Sequence, residues 1–357
     1  MEKKLRVGLV GIGGMGSNHL RCQLGNPRVE VVAICDILPE KMQAAKERFN
    51  IPNIPCYTDF KDMIDTEQLD AVDISTPNYL HSIVAVYAME KGLHVFCEKP
   101  DAVSVEEALK MKEASERTGK ILMVMRNNRY YTNSQYLKKL ITAGECGEIY
   151  CGRCGWIRRR GIPGRGGWFT TKAQSGGGPL IDLGVHMIDL AMWLMGNPKP
   201  VSVSGCTYNK FANNTASENP GKANTRIVNM NGTFDVEDLA MGFIRFENGA
   251  CLQIEFSWAS NIEKQTRFVE LRGTKAGIKW SDDGSAHVYG EENGKLTDFS
   301  RTCEMGDGHD EALKHFAAMV LDGAEPDYVP QQGISMIQIL TAIYESAETG
   351  HEAIIPW

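Results

Sequence analysis

Apolar positions in the first 125 residues recur in short runs that alternate with helix-like segments. The runs that predict strands are Leu5–Val10, Val29–Cys35, a weaker Pro55–Thr58, Leu69–Ser75, Leu93–Cys97 and Ile121–Met125. The helix-like segments are Gly14–Leu24, Pro39–Phe49, Tyr79–Lys91 and Val105–Thr118. Such alternation is typical of βαβ units, whose right-handed crossovers build a parallel sheet covered on both faces. Residues 1–125 are therefore predicted to form a doubly wound α/β domain.

The pattern changes at about residue 126 and becomes mostly strand-like from Val201 onward. The first elements are a helix over Ser134–Ala143, a strand-like run Ile149–Arg159, a Gly-rich loop and a helix from Leu180 to Met195. The later runs are Val201–Tyr208, Asp238–Phe246, Ala250–Ala259, Phe268–Gly273 and His287–Tyr289, followed by helices over His309–Leu321 and Gly333–Thr349. Strands grouped apart from helices indicate a mainly antiparallel sheet with helices on one face. Residues 126–357 are therefore predicted to form a second domain.

Two connections have sequence signals of their own. Asn248-Gly249 lies between two strand-like runs and predicts a two-residue hairpin, because a type I′ turn needs positive φ at both positions. Lys210–Asn231 is polar, Asn-rich and weakly patterned, which predicts a long surface loop.

Composition narrows the class of protein. The 357 residues are 43% hydrophobic and 23% charged, as in ordinary globular domains, so disorder as the main state is excluded. A net charge of −7 argues against a broad nucleic-acid surface, which requires a basic face. No apolar stretch approaches the ~18 residues of a membrane span. Because Met1–Val10 runs into Gly-rich sequence, we expect no signal peptide. Ten scattered cysteines indicate reduced thiols and a cytoplasmic protein.

A glycine-rich motif follows the first predicted strand and opens a helix. Residues 11–16 fit G-x-G-x-x-G, and the helix start supplies free N–H groups for a pyrophosphate. A Gly-rich turn without a nucleotide is the alternative. Asp36 argues against it, since it lies 20 residues beyond Gly16 at a strand end, where a carboxylate binds the ribose 2′-OH. Ile37 follows instead of a basic residue, so NAD is preferred over NADP.

Further cofactor contacts are expected at the ends of the fourth and fifth predicted strands. Thr76 and Asn78, after the fourth, are placed to contact the ribose or nicotinamide, and the alternative is that they shape and cap a helix start. The predicted cofactor-binding residues are Gly11, Ile12, Gly13, Gly14, Met15, Gly16, Asp36, Ser75, Thr76, Asn78, His81, Glu98 and Lys99.

Two short segments carry candidate chemistry. Glu98-Lys99-Pro100 ends the fifth strand, where a charged pair is costly to bury and Pro100 can adopt a cis bond. In the second segment, Asp182 and His186 are four residues apart on a predicted helix, so the carboxylate can orient the imidazole for general-base chemistry. The alternatives are a salt-bridged strand end and a satisfied polar pair on a helix.

These motifs together resemble the Gfo/Idh/MocA oxidoreductases in order and spacing over nearly all 357 residues. They are Gly-Ile-Gly-Gly-Met-Gly-Ser-Asn-His19, Thr-Pro-Asn-Tyr-Leu-His81, Glu98-Lys99-Pro100 and Gly-Gly-Gly-Pro-Leu-Ile-Asp-Leu-Gly-Val-His186. The resemblance implies a Rossmann domain, a second domain with a large open antiparallel sheet used for oligomer contacts, and nicotinamide-dependent oxidation or reduction of sugars or cyclitols. It also implies that Lys99, Asp182 and His186 are catalytic.

The expected reaction is hydride transfer from a secondary ring hydroxyl of a sugar or glycoside, with C3 of a pyranoside favoured, to NAD⁺. It requires an ammonium and an imidazole from separate domains to converge beside the nicotinamide. Expected substrate contacts are Lys99, Arg129, Trp168, Asp182 and His186. Trp168 stacks on a sugar face or simply packs, and Arg158-Arg159-Arg160 favours a solvated charge run over a substrate contact.

Other hypotheses stay open at this stage. An inositol or free-sugar dehydrogenase is the runner-up within the same class, and a non-catalytic regulator that binds NAD and sugar is the rival from another class. We expect a homo-oligomer, a dimer or tetramer, through the C-terminal sheet. No metal is expected, because Cys151 and Cys154 lack a second cysteine pair at zinc-ribbon spacing.

Overall fold

The described part of the first 125 residues forms a six-stranded parallel sheet in the computed structural model, which describes residues 3–213 and 229–356. Its strands are β1 Leu5–Val10, β2 Val29–Cys35, β3 Cys56–Tyr57, β4 Ala71–Ile74, β5 His94–Cys97 and β6 Leu122–Val124. Their order is β3-β2-β1-β4-β5-β6, so the strand order reverses between β1 and β4. In open sheets of this kind, ligands bind at the carboxyl ends of the strands beside such a reversal. The predicted doubly wound domain is confirmed.

Along the chain, helices connect one strand of this sheet to the next. They are α1 Gly14–Gly25, α2 Pro39–Phe49, α3 Phe60–Thr66, α4 His81–Glu90 and α5 Val105–Thr118. The pattern did not predict α3, whose seven residues are too few to show a helical period. It begins because the Asp59 carboxylate accepts the Lys61 N–H at 2.8 Å, which satisfies one of the unpaired donors of a helix start.

The rest of the chain contributes a mixed sheet and helices. The elements are α6 Thr132–Thr142, β7 Ile149–Ile157, α7 Lys172–Ser175, α8 Val185–Leu194, β8 Pro200–Tyr208, β9 Leu239–Phe246, β10 Cys251–Ser257, β11 Thr266–Gly273, β12 Gly277–Ser281, β13 Ser285–Glu292, β14 Lys295–Thr302, α9 Gly308–Asp322, α10 Pro330–Thr349 and β15 Ala353–Ile354. Within the described residues the strand order is β14-β13-β12-β11-β7-β10-β9-β8-β15. The described neighbours pair antiparallel except β7 and β10, which confirms a mainly antiparallel sheet.

The two faces of the mixed sheet differ. Side chains that alternate along β10, β11 and β12 are buried on one face: Leu252, Ile254, Phe256, Val269, Leu271, Ile278 and Trp280. Helix α8 packs against β7 and β11, and nearly all of its residues are buried. Arg153, Glu255 and Phe268 alternate with the buried set, and they are exposed or half-buried. One face therefore forms the core, and the other remains open in the single chain.

Several local predictions need correction. The Asn248-Gly249 hairpin connects β9 and β10, but among its described residues Gly249 alone has positive φ, at 84°. It is therefore not the two-residue type I′ turn. Strands β12, β14 and β15 were not predicted. In β14 every residue is exposed, so an alternating apolar pattern is lacking. The predicted loop Lys210–Asn231 falls largely on residues 214–228, which lie outside the described residues.

The chain divides into two compact units. Unit 1 comprises Met1–Met125 with Gly308–Ile334, and unit 2 comprises Arg126–Asp307 with Ser335–Trp357. Gly308–Ile334 was predicted to lie in the second domain. In the structure α9 packs on α1, β1 and β5, where it buries Ala312, Leu313 and Phe316. No helix of the described residues is long and apolar enough to cross a membrane.

Candidate active site

The glycine-rich turn between β1 and α1 has the geometry of a phosphate cradle. Gly11 has φ +91°, and a Cβ there would lie 2.6 Å from the Ser75 carbonyl oxygen. A Cβ on Gly16 would overlap the Gly11 carbonyl, so both positions need glycine. A Cβ on Gly13 would meet no described atom within 4 Å, and no described side chain caps α1. The free N–H groups of the helix start therefore face open space, as pyrophosphate binding requires.

Asp36 follows β2 and is held by backbone donors. Its Oδ2 accepts the Ile12 N–H at 2.8 Å and its Oδ1 accepts the Leu38 N–H at 3.0 Å. The Lys41 ammonium is 3.5 Å from Oδ1 and is half-exposed. The carboxylate is thus fixed beside the glycine turn with acceptor capacity left for a ribose hydroxyl.

Beyond β4, the segment Ser75–His81 divides into residues that can meet a ligand and residues that support them. Thr76 Oγ1 is buried and has no hydrogen-bond partner among the described residues. A cofactor hydroxyl or amide could form a hydrogen bond with it. His81 is fully buried, and its ring nitrogens lie 2.7 Å from Pro100 O and 3.0 Å from Thr76 O. Burial lowers the pKa of His81. These contacts connect His81 to the segments that carry Thr76 and Pro100, and its expected cofactor contact stays a prediction.

Glu98 directly follows β5, and its carboxylate is buried. It is 5% exposed; Oε1 lies 3.0 Å from His19 Nε2, and Oε2 accepts the Lys99 N–H at 3.0 Å. Burial opposes ionisation, but the His19 hydrogen bond and charge outweigh it and lower the pKa of Glu98 to about 2. Each Glu98 oxygen therefore has a partner within the protein, and the expected cofactor contact of Glu98 stays a prediction. The Lys99–Pro100 bond is cis, the isomer that the sequence allowed.

His19 is a buried charge that was not among the predicted site residues. It is fully buried on α1, with Nδ1 2.8 Å from Asp73 Oδ1. Burial disfavours the imidazolium, but Asp73 and Glu98 outweigh it and raise the pKa of His19 to about 10. Its position three residues after Gly16 was a sequence signal, but its two partners are 54 and 79 residues away.

In unit 2 the predicted helix begins with a π-helical turn. Leu180–Gly184 is π-helical and α8 continues it from Val185. The buried Glu237 carboxylate accepts the Gly178 N–H at 2.9 Å and the Leu180 N–H at 3.0 Å, and it also accepts the Tyr344 hydroxyl at 2.9 Å. Burial raises the pKa of Glu237. The turn that carries Asp182 is therefore wider than the predicted α-helix, an irregularity common at functional sites.

Asp182 and His186 have partners from the mixed sheet. Trp258 Nε1 donates to Asp182 Oδ2 at 2.9 Å, and the Trp156 ring lies 6.0 Å from the His186 ring. The guanidinium groups of Arg158 and Arg267 lie 4.8 and 4.2 Å from the centre of the Trp156 ring. The sequence favoured a solvated charge run for Arg158, whereas the structure leaves it only partly exposed and near Asp182.

Arg129 takes part in a buried ion cluster. It is fully buried, and its Nε and Nη2 donate to Asp189 Oδ2 and Oδ1 at 2.9 and 2.6 Å. Arg126 Nε also donates to Asp189 Oδ1, at 2.9 Å. These bonds hold Arg129 against α8, and its expected substrate contact stays a prediction. Trp168 stacks on Phe169, with ring centres 3.8 Å apart, so one of its faces is occupied.

Within the described ranges, no group of three or more His, Cys, Asp or Glu side chains is placed to hold a metal ion. All ten cysteines lie within those ranges and carry free thiols.

Comparisons with known proteins agree with the two parts of the chain. A model of an oxidoreductase family with an NAD-binding Rossmann fold (GFO_IDH_MocA) matches residues 5–126, and a model of the GFO/IDH/MocA C-terminal domain matches residues 134–279. D-glucoside 3-dehydrogenase of Escherichia coli (strain K12) is 34% identical over 349 residues, 97% of this chain and 96% of that protein. Inositol 2-dehydrogenase of Salmonella typhimurium (strain LT2) is 39% identical over 147 residues, 40% of this chain and 43% of that protein.

The similarity extends to solved structures. A levoglucosan dehydrogenase in complex with NADH and levoglucosan superimposes with a TM-score of 0.83 and 25% identity. The match covers 99% of this chain and 100% of that one.

Proposed function

The chain belongs to the Gfo/Idh/MocA oxidoreductase family, and we propose that it is an NAD-dependent dehydrogenase that oxidises a ring hydroxyl of a glycoside, at C3 of a pyranoside. The observation that carries this proposal is the similarity to D-glucoside 3-dehydrogenase over 97% of the chain. Partial similarity to inositol 2-dehydrogenase, confined to 40% of the chain, keeps cyclitols and free sugars as the second candidate.

Three side chains carry the chemistry in this proposal. His186 accepts the proton of the substrate hydroxyl as general base. Asp182, held by Trp258, orients His186 and favours the tautomer that can accept this proton. Lys99 donates to the same substrate oxygen and stabilises the negative charge that develops on it. A bound nicotinamide supplies the hydride acceptor.

NAD is the proposed cofactor, in preference to NADP. The Asp36 carboxylate, fixed by the Ile12 and Leu38 N–H groups, favours a 2′-hydroxyl and repels a 2′-phosphate. Lys41 is the opposing feature, because its ammonium lies 3.5 Å from Asp36 and can attract a phosphate. The carboxylate sets the proposed preference, because it is 7% exposed and held by two backbone hydrogen bonds, whereas the Lys41 ammonium is half-exposed and screened by water.

The open face of the mixed sheet supports a homo-oligomer, a dimer or tetramer. Met241, Phe243 and Phe268 are half-buried there in the single chain, and a second copy would cover them. Ten free thiols support a reducing compartment, and we propose the cytoplasm. Light scattering of the purified protein tests the oligomer.

The test of function is absorbance at 340 nm while the protein is incubated with NAD⁺ and a panel of sugars. The panel contains alkyl and aryl glucosides, their 3-deoxy analogues, free hexoses and inositols. We expect NADH to form with glucosides and not with the 3-deoxy analogues. Oxidation of inositols or free hexoses alone would favour the second candidate.

Two further outcomes would change the class of protein. NAD binding without oxidation of any sugar would favour a regulator. A melting temperature that does not shift with NAD or NADP would refute a nucleotide site altogether.

A further inference from the structure

His19, Asp73 and Glu98 form a buried charge cluster inside unit 1. They come from α1, β4 and the residue that directly follows β5, and each is at most 5% exposed. Both ring nitrogens of His19 face carboxylate oxygens, at 2.8 and 3.0 Å. A carboxylate accepts hydrogen bonds, so satisfying both oxygens requires a proton on each nitrogen.

Several elements packed against His19 place further groups around the cluster. On its own helix, Gln23 Nε2 donates to Asp73 Oδ2 at 2.9 Å. From the end of β4, Ser75 Oγ lies 3.1 Å from His19 Nδ1, and from α9 the His309 ring lies 6.3 Å away. Phe96 of β5 contacts the imidazole edge and excludes water. The cluster has two anions around one cation, plus the nearby His309 and Lys99, which also favour ionised Glu98.

The second Glu98 oxygen connects the cluster to the proposed chemistry. Oε2 accepts the N–H of Lys99 at 3.0 Å, which fixes the peptide from which the Lys99 side chain projects. His81 fixes the far side of the same segment through the Pro100 carbonyl. Loss of His19 would leave a buried carboxylate without its cation, a costly state that Glu98 would escape by taking up a proton or turning away.

We propose that His19 is a positioning residue for the reaction: its bridge between Asp73 and Glu98 holds the Glu98 carboxylate against the Lys99 backbone and so sets the position of the Lys99 ammonium. The inference rests on the proposed role of Lys99 at the substrate oxygen. A raised pKa of about 10 for His19 means that the bridge persists through the physiological range.

The first experiment compares His19→Gln with the wild-type enzyme in kcat and KM from pH 5 to pH 9. We expect kcat to fall about ten- to hundredfold with KM for NAD⁺ little changed, because a displaced catalytic group costs turnover more than cofactor affinity. We also expect a new fall in kcat toward low pH, since Glu98 without His19 takes up a proton above its ordinary pKa. In His19→Gln/Glu98→Gln this pH dependence should disappear.

The matched control is His94→Gln. His94 begins β5, the strand that Glu98 directly follows; it is half-buried and accepts the Ile121 N–H. His94→Gln should lower stability but should not add a new fall in kcat toward low pH. If His19→Gln behaves like this control, with a flat pH profile and near wild-type kcat, His19 is structural and the proposal is overturned.

Two measurements need neither sugar nor turnover. Nitrogen-15 NMR of the histidine rings of the wild-type protein should show an imidazolium for His19 throughout pH 6 to 9; titration near 6.5 would overturn the proposal. The rate of Lys99 acetylation, read by mass spectrometry against exposed Lys4, should rise in His19→Gln, and an unchanged rate would also overturn it. A wild-type protein inactive on every sugar would refute the proposed function, while these two results would still decide the role of His19.

Discussion

Two buried ion clusters of opposite composition lie in the two units of the molecule. In unit 1 a cation lies between two anions, and in unit 2 an anion lies between two cations: His19 with Asp73 and Glu98, and Asp189 with Arg126 and Arg129. Each cluster satisfies a central charge that would be costly to bury alone. Their central difference is protonation, since an imidazole can lose its proton, whereas guanidinium groups keep their charge at any ordinary pH. The contribution of the unit 1 cluster to stability should therefore change as pH rises above 6.5, whereas that of the unit 2 cluster should not.

The two clusters also support different kinds of chemical group. Glu98 contacts the backbone of Lys99, whereas Asp189 lies three residues past His186 on α8, where Asn128 Nδ2 donates to the His186 carbonyl at 3.2 Å. One cluster thus holds a strand end and the other holds a helix. In unit 1 a buried charge contacts the backbone of a proposed catalytic residue directly, whereas in unit 2 the buried charges lie on the same helix as one.

The largest expected effect is on the unit 2 cluster. Asp189→Ala leaves two buried guanidinium groups without their anion, so we expect the free energy of unfolding to fall by about 3–5 kcal/mol. Urea denaturation followed by circular dichroism measures it. Asp298→Ala, on exposed β14, is the control and should have little effect. A loss below about 1 kcal/mol for Asp189→Ala would mean that this cluster does not hold α8.

Removing the reactive groups tests whether both units contribute chemistry. We expect Lys99→Ala and His186→Ala each to lower kcat at least about a hundredfold, because a charge-stabilising donor or a general base is lost. NAD binding, measured by fluorescence titration, should change little. The double variant should be little worse than the singles if both groups act on one oxygen. Near wild-type rates in both single variants would show that Lys99 and His186 are not catalytic.

The pH dependence of stability distinguishes the clusters directly. The folded-state pKa of His19 is raised to about 10, because Asp73 and Glu98 outweigh burial, so its contribution is complete below its unfolded value of 6.5. It is lost as pH rises toward 10. The difference in unfolding free energy between wild type and His19→Gln should therefore shrink by up to about 1.4 kcal/mol per pH unit above 6.5.

Urea denaturation at pH 6.5, 8 and 9.5 measures this difference. The corresponding difference for Arg129→Met should stay constant, since the guanidinium groups do not titrate there. Equal slopes for the two variants would contradict the proposed contrast.

The smallest expected effect is at the cofactor edge. Asp36→Ala removes an acceptor for the ribose hydroxyl and exposes Lys41, so NAD⁺ affinity should fall about tenfold and NADP⁺ affinity should rise. Asp36→Ala/Lys41→Ala should cancel the gain for NADP⁺. Isothermal titration calorimetry with both cofactors measures these changes. Unchanged preference in the single variant would mean that Asp36 does not select the cofactor.

Local pattern predicted most of the fold. The parallel strands of unit 1 are short, continuous apolar runs because both faces are covered, and this makes their positions plain in the sequence. Strand β14 gave no such signal because all its residues are exposed, and α3 was too short to show a period. The hairpin at Asn248-Gly249 was predicted, but its turn type was not, since φ depends on how the strands pair around it.

The candidate site was predicted unevenly. Gly11, Gly16 and Asp36 lie within one βαβ unit, and the structure brings them together as expected. Arg129, His81 and Glu98 were expected at a ligand; the structure buries all three beside protein partners, and their contact with a ligand stays a prediction. Sequence spacing cannot reveal burial when a polar side chain has its partner far along the chain.

The sequence alone determined the alternating strands and helices, the glycine turn with its carboxylate, and the Lys, Asp and His residues that are proposed to carry the chemistry. These are local signals, because propensity, periodicity and motif spacing act over a few turns or one βαβ unit. Tertiary structure decided the charge of His19, the burial of Glu98 and the π-helical turn over Glu237. Their partners are 54 to 79 residues away, and only folding removes the water that would otherwise screen or replace them.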